Sequence, residues 1–322
     1  MIAHQSLAEA RVAGLRDVTP SVREFLLAPL DGAVLPHEPG AHLQVRVDGW
    51  LRHYSLVGEA RPAHYRIAVK RQDDGLGGSR ALWRLKVGDR LQIGTPRNHF
   101  PLALQAPAYL LVAGGIGITP LVFMAQRLAR LGREVRMAYA ARTPEDMAYA
   151  DELRPLLGES LRCLASAQGQ RLDVAAEIAV LPPGGQLYAC GPLPLLDALR
   201  AAWRAAGRPE ADLRFETFGS GGAQAAHSFQ VAVPRHGLAI TVPVGTSLLD
   251  ALEASGVEAL HDCRRGECGL CVMDVLALDG EIDHRDVFLS PAEKQENRRI
   301  CACVSRAVGA ITLDTAYRAD VG

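Results

Sequence analysis

The sequence predicts a multidomain chain: an antiparallel β-barrel, then an α/β domain on a doubly wound parallel sheet, then a small α+β module. Three observations predict it. Up to about residue 105, β-branched or aromatic residues alternate with polar ones in short runs that Pro and Gly punctuate, as in an all-β unit. From residue 106 apolar runs alternate with helical patterns, which a parallel sheet covered on both faces requires. Five of the seven cysteines crowd between 263 and 303. At 322 residues the chain is too long for one core, and the changes of pattern divide it into 1–105, 106–222 and 223–322.

Taken in order, HLQVRV (42–47), LRHYSLVG (51–58), HYRIAVKR (64–71) and DRLQIGT (89–95) read as barrel strands. AYLLVAGG (108–115) is apolar throughout, as a strand buried on both faces would be. Leu121, Met124, Leu128 and Leu131 then recur on one helical face. The alternation continues through EVRMAYAAR (134–142), a helix at 151–157, SLRCLASA (160–167), a helix near 173–180, QLYACGP (186–192), a helix at 193–206 and LRFETFG (213–219). Residues 219–228, GSGGAQAAHS, are small and aperiodic and read as a linker. Two strands (FQVAVPRHG, LAITVPVG) and a helix in TSLLDALEASG (246–256) follow, with Ser247 or Thr246 as its N-cap. The stretch 272–302 reads as a loop, and AYRADVG (316–322) as a tail.

Composition excludes several classes. Apolar residues at 48% and charged residues at 22% are those of a globular protein, and a net charge of −1 leaves no basic footprint for nucleic acid. The segments differ, with 14 basic and 10 acidic residues in 1–105, 12 and 12 in 106–222, and 9 and 14 in 223–322. An acidic last segment suits a basic partner surface, or equally a solvated acidic face. Residues 98–126 carry no Asp, Glu, Lys or Arg, but Pro101, Pro107, Pro120 and three glycines argue against a membrane helix. MIAHQSLAEARVAG shows no secretory signal pattern, so a cytoplasmic chain without a disulfide framework is expected.

The strongest chemical signal is DCRRGECGLC (262–271), followed by ICACVSRA (300–307). Cys263, Cys268 and Cys271 have the Cys-x4-Cys-x2-Cys spacing by which plant-type ferredoxins hold a [2Fe-2S] cluster. Gly266 and Gly269 let such a loop turn its backbone N–H groups toward sulfur. The alternative is a four-cysteine zinc site, which ordinarily uses two short Cys pairs. From Cys271, the fourth ligand is Cys301 after 29 intervening residues or Cys303 after 31.

Three further motifs stand upstream. RHYSLVG (52–58) places Arg52 and Tyr54 on one strand face and Ser55 on the other. VKRQDDGLGGSRAL (69–82) supplies Lys70, Gly77, Gly78 and Ser79 at a turn opening a helix, either an anion cradle or a plain surface turn. LLVAGGIGITP (110–120) joins a strand through Gly114, Gly115 and Gly117 to a helix carrying Thr119 and Pro120, either a pyrophosphate site or an ordinary tight turn. It is not a Gly-x-Gly-x-x-Gly fingerprint. Cys190 in YACGP (188–192) is either a reactive or a buried inert cysteine.

CRRGECGLC, DHRD (283–286), CVSRA (303–307) and RHYS together resemble the phthalate dioxygenase reductase and vanillate demethylase reductase family, over nearly the whole chain. The resemblance implies a flavin-binding barrel, a NAD-binding α/β domain and a β-grasp ferredoxin domain. It implies FMN rather than FAD, a [2Fe-2S] cluster, and NADH. It assigns the fourth cluster ligand to the cysteine before Val-Ser-Arg-Ala, here Cys303. It places Arg52 on the flavin phosphate with Lys70, Gly77, Gly78 and Ser79 nearby, Tyr54 on the isoalloxazine and Ser55 near N5. Gly114, Gly115, Gly117, Thr119 and Pro120 would hold the nucleotide, with Cys190, Gly191 and Pro192 at the nicotinamide. Glu216 and Phe218 of FETFG would close over the flavin. After the second strand AARTPEDMAYADE (140–152) offers one Arg and several acids where a 2′-phosphate pocket wants clustered cations, so NADH is expected, with Arg142 kept as a cofactor-binding candidate that could still serve NADPH. The implied activity is electron transfer from NADH through flavin and cluster to a separate Rieske-type terminal oxygenase, the chain acting as a monomer. A haem monooxygenase as acceptor, or a non-catalytic binding or sensor protein with a structural cluster or zinc, are the alternatives.

Overall fold

The computed structural model describes residues 7–73, 77–218 and 227–315, so the predicted linker (219–226 above all) and the tail 316–322 lie outside the described residues. The chain forms two compact units, Met1–Glu216 and Thr217–Gly322.

The first unit begins with an antiparallel sheet of seven strands: β1 (Ala8–Thr19), β2 (Val22–Pro29), β3 (Ala41–Val47), β4 (Trp50–Ser55), β5 (Tyr65–Lys70), β6 (Arg90–Ile93) and β7 (Arg97–Asn98). Their order is β4-β3-β6-β1-β2-β5, with β7 on β3. Just past β4, Leu56 bridges Ile67 of β5, and the Val57 amide donates to the Arg66 carbonyl at 2.8 Å, so the two ends of the sheet meet and close a barrel. Phe25, Leu27, Leu43, Leu56 and Ile67 fill it. The alternating pattern predicts named strands only from residue 42 onward. AEARVAGLRDVT of β1 is rich in good helix formers, and it becomes a strand because β2 and β6 pair with it from both sides. A short helix, α1 (Gly78–Arg84), crosses over between β5 and β6.

A five-stranded parallel sheet follows: β8 (Ala108–Gly114), α2 (Ile118–Arg130), β9 (Glu134–Ala141), α3 (Ala150–Leu157), β10 (Leu161–Ala165), α4 (Val174–Ala179), β11 (Gln186–Cys190), α5 (Leu193–Ala205) and β12 (Leu213–Glu216). All seven residues of β8 are buried, as its unbroken apolar run predicts. Leu121, Met124 and Leu128 of α2 face the core, but Leu131 does not. The helix ends at Arg130, and Leu131 is 43% exposed. The strand order β10-β9-β8-β11-β12 makes β8 and β11 the pair at which the winding reverses, the place where a doubly wound sheet opens a crevice.

A partly buried ionic cluster, enclosed at Arg66 and Glu24 and open at Arg16 and Glu152, ties barrel to parallel sheet within this unit. Arg66 of β5 donates to Glu24 of β2 at 2.6 Å and to Glu152 of α3 at 2.8 Å. Arg16 donates to Glu152 at 2.6 Å, and the Tyr149 hydroxyl donates to Glu24 at 3.0 Å. Tyr149 holds φ 63°, a conformation non-glycine residues seldom adopt, to reach that carboxylate.

The second unit carries a mixed sheet: β13 (Phe229–Val233), β14 (Leu238–Val242), α6 (Leu248–Ala254), β15 (Val272–Asp283), α7 (Pro291–Glu296), β16 (Arg299–Cys301) and β17 (Arg306–Asp314), ordered β14-β13-β17-β15-β16. β13 and β17 run parallel and the other pairs antiparallel, with α6 on the sheet. Ser247 is the N-cap of α6, its hydroxyl accepting the Asp250 amide at 3.0 Å. The stretch 272–302 is not a loop. It holds two strands and α7, which opens on a capping box between Ser290 and Glu293, and Leu276 stands out of register as a bulge in β15. The alternation in VMDVLALDGEID is too broken by acids to read as a strand, and pairing with β17 over nearly its whole length supplies what the sequence lacks.

Arg66→Met leaves Glu24 only the half-exposed Arg16 guanidinium, at 3.2 Å, and is expected to destabilise the first unit by up to about 3 kcal/mol, measured by urea unfolding. Burial works against ionisation of Glu152, yet hydrogen bonds from Arg66 and Arg16 hold it below the ordinary carboxylate range. A depressed carboxylate contributes its stability above the unfolded value of about 4.3. That contribution is lost as pH falls through the folded value. Unfolding midpoints should therefore be flat from pH 7 to about 5 and drop below about 4, and Glu152→Gln should flatten the acid limb.

Candidate functional site

At the switch point of the parallel sheet the chain ends of β8 and β11 press together. A Cβ on Gly117 would fall 2.1 Å from the Cys190 carbonyl oxygen, and one on Gly114 would fall 2.7 Å from the Pro192 ring. Gly114 and Gly117 are therefore small because two chain segments meet there, and Gly191 packs on Gly114 in the same contact. Gly115 differs. It holds φ 53°, and a Cβ there would meet nothing within 4 Å, so its face of the turn opens outward at the start of α2. The Thr119 hydroxyl closes the turn on the Ile116 carbonyl at 3.0 Å, and Pro120 is buried within the first turn of α2. Sequence reading missed Tyr139, whose hydroxyl braces the Gly115 carbonyl at 3.1 Å. A tyrosine in the middle of an apolar strand carried no signal of that role.

Cys190 ends β11 fully buried and stands in register with Glu216, the last residue of β12, which is also fully buried. The Ser55 hydroxyl, at the end of β4, lies 3.4 Å from Glu216 Oε2. Barrel strand and parallel sheet thus bring Ser55, Cys190 and Glu216 to one place. Phe218 is half-buried and falls in the second compact unit. Arg142 is exposed just past β9.

On the barrel, Tyr54 packs against the core, and burial pushes its hydroxyl up to about 12 with the nearby Arg52 charge acting in the opposite sense. The Arg52 guanidinium lies 4.9 Å from the Trp50 ring centre. A Cβ on Gly78 would meet the Arg52 side chain at 3.4 Å, so Arg52 lies along the first turn of α1. Gly77 precedes α1 with φ 114° and no side chain caps the helix. Arg52 and the Gly77–Gly78 turn form a guanidinium beside uncapped backbone N–H groups, a donor set that fits a phosphate. Ser79 is already engaged, its hydroxyl accepting the Gln72 amide at 3.2 Å, and Lys70 is exposed at the end of β5. Three histidines not singled out in the sequence, His42, His53 and His99, stack beside this strand, with His42 5.3 Å from each of the others and in register with Ser55.

In the second unit the cysteine loop has the donors that an iron–sulfur cluster needs. The amides of Arg265 and Cys268 both donate to Cys263 Sγ at 3.4 Å. Gly266 takes φ 73°, and a Cβ there would drive into Val304 at 2.6 Å. Cys271 Sγ lies 3.1 Å from Cys303 Sγ, and hydrogen bonding among Cys271, Cys301 and Cys303 favours a thiolate at Cys271. Burial raises the Cys263 thiol, and Cys268 is exposed at the loop rim. Among the described residues no three His, Cys, Asp or Glu side chains converge on a single-ion site. A two-iron cluster takes its thiolates two to each iron and asks for no such point.

Comparison with known proteins agrees with this layout. Residues 111–201 match the oxidoreductase NAD-binding domain, and residues 232–308 match the 2Fe-2S iron-sulfur cluster binding domain. The chain is 40% identical to the heme-dependent oxidative N-demethylase beta subunit of Ectopseudomonas mendocina, over 96% of this chain and 99% of that one. It is 32% identical to the solved phthalate dioxygenase reductase, covering 96% and 98% of the two chains with a TM-score of 0.79. The chain belongs to the phthalate dioxygenase reductase and vanillate demethylase reductase family. It also spans 42% of the length of full-length CYP116B46 from Tepidiphilus thermophilus, at 34% identity and a TM-score of 0.68. As a member of this family it is an electron-transfer oxidoreductase, a reductase subunit of an oxygenase system. No helix among the described residues is long and apolar enough to cross a membrane.

Gly117→Ala drives a methyl group into the Cys190 carbonyl at the switch point. The KM for NADH is expected to rise about tenfold or more, since overpacking by one methyl group costs roughly 1–3 kcal/mol. Iron content should stay unchanged, and both are read by steady-state kinetics and metal analysis.

Proposed function

We propose that the protein takes hydride from NADH onto FMN and passes electrons through a [2Fe-2S] cluster on Cys263, Cys268, Cys271 and Cys303 to a Rieske-type terminal oxygenase. The observation that carries the reading is the convergence of Ser55, Cys190 and Glu216 at the switch point, in the same chain as the cysteine loop. When bound, the flavin converts a two-electron donor into single electrons for the cluster, and the chain's task is to hold the carriers.

The residues' parts follow from their positions. The open face at Gly115 and the start of α2 receive the nucleotide pyrophosphate. Cys190, enclosed at the end of β11, walls the place for the nicotinamide and keeps water from it. Ser55 offers a hydroxyl whose direction Glu216 controls by accepting from it. Arg52 and the Gly77–Gly78 turn take the flavin phosphate, which suits FMN, and Tyr54 flanks the ring system. Glu145 and Asp146 in the turn after Arg142 favour NADH over a 2′-phosphorylated cofactor.

What supports Cys303 as fourth ligand is its setting. It follows β16, its thiol receives the Gly266 amide from the cysteine loop, and it stands beside Cys271. Cys301 closes β16 in register with Val272 and is wholly enclosed. The chain is proposed to work in a reducing cytoplasm, as a monomer. A second reading has a haem protein as acceptor. The name of the 40% identical Ectopseudomonas mendocina relative favours it.

Anaerobic titration with NADH should bleach flavin and cluster absorbance together, and the flavin released by heat should have the mass of FMN. Cys303→Ser should purify without the two-iron signal while Cys301→Ser keeps it; the reverse pattern reassigns the ligand. Mixing the reduced protein with an isolated Rieske oxygenase and with an isolated haem oxygenase separates the two acceptor readings, through the Rieske EPR signal in one case and the Soret band in the other.

A further inference from the structure

The second unit buries two carboxylates near its cysteine loop, and their charges are answered differently. Asp283, at the end of β15, carries a guanidinium: Arg285 Nε and Nη2 donate to its Oδ2 at 2.8 and 2.6 Å. Asp286 is completely enclosed. Its Oδ1 accepts the Ser305 hydroxyl at 3.0 Å and its Oδ2 accepts the Leu289 amide at 2.8 Å, while His284 Nδ1 stands 3.6 Å from Oδ1. Lys294 reaches this residue too, but donates to its main-chain carbonyl, at 2.5 Å. Burial by itself would raise the Asp286 carboxyl, yet the donors around it hold it below the ordinary range. Hydroxyl and amide donors stabilise a carboxylate without cancelling its charge.

Asp286 also lies against the loop. A Cβ on Gly266 would fall 2.9 Å from Asp286 Cα, and the next two amides, of Val287 and Phe288, donate to the Gly266 carbonyl at 3.0 and 3.2 Å. Ser305, which binds its Oδ1, stands two residues beyond Cys303. A fixed negative charge in a dry site disfavours an added electron nearby, and net charge around a cluster is one of the terms that set its potential.

We propose that Asp286, held against the cysteine loop by the main-chain bonds of the two residues after it, is a tuning residue of the cluster, its charge keeping the cluster's reduction potential low. The inference rests on the cluster reading given above.

Asp286→Asn keeps the shape and an acceptor for Ser305 while removing the charge. The test is an EPR-monitored redox titration of the full-length holoprotein at pH 8. The one-electron equilibrium is expected to move about tenfold toward the reduced form, which is about 59 mV. Lys294→Met, which removes the neighbouring positive charge, is expected to shift it the opposite way. Asp279→Asn, an exposed carboxylate on β15, serves as control. A potential in Asp286→Asn no different from that of Asp279→Asn overturns the proposal. If Asp286→Asn does not retain iron, Lys294→Met decides, and an unmoved potential there overturns it as well. Wild-type protein that purifies with zinc, or without iron and sulfide, ends the cluster reading itself, and that is seen before any potential is measured.

Discussion

The first unit depends on one partly buried ionic cluster. Arg66 sits between Glu24 of its own barrel and Glu152 of α3, with Arg16 and Tyr149 completing the set. The enclosed Arg66–Glu24 pair is costly unless both charges stay hydrogen-bonded, and the same guanidinium reaches Glu152 across the layer boundary, which favours the observed docking of barrel on parallel sheet. That docking brings Ser55 of one sheet within 3.4 Å of Glu216 of the other. Neither sheet alone contains the site, because the serine and the carboxylate belong to different layers.

The same economy governs the switch point. Motif glycines are commonly read as ligand contacts, yet Gly114, Gly117 and Gly191 are small here because β8 and β11 end against one another. Only the Gly115 face is open. The open turn at Gly115 is thus what strand packing leaves over, and it is the place proposed for the pyrophosphate. In the cysteine loop the backbone again carries the burden: Gly266 turns where a side chain would strike Val304, and amides point at Cys263 Sγ.

Much of this was legible in the residues. The apolar run 108–115, the helix periodicities and the Cys-x4-Cys-x2-Cys spacing are local features, and each corresponds to an element or loop at its expected place. What escaped had no local signature. β1 is composed of helix formers and is held by neighbours on both sides, and β15 is an acid-broken strand completed by β17. Leu131 fits the apolar stripe of α2 but falls beyond the helix end, because periodicity does not register where a helix stops. Tyr139 and the His42–His53–His99 stack act through residues distant in sequence, so no spacing rule reaches them.

The sequence by itself determined the chemistry available to this protein: three thiols at cluster spacing with two candidates for a fourth, a glycine turn before a helix, a cation and an aromatic on one strand. It did so because these depend on residues close together along the chain. Only the tertiary structure decided what surrounds them: that Ser55 faces Glu216, that the Gly266 amide reaches the Cys303 thiol, and that Asp286 is enclosed among hydroxyl and amide donors while Asp283 has a guanidinium. Those outcomes rest on the burial and pairing of groups far apart in sequence, and the cost of burying a charge or a bare donor is known only once the surroundings are assembled.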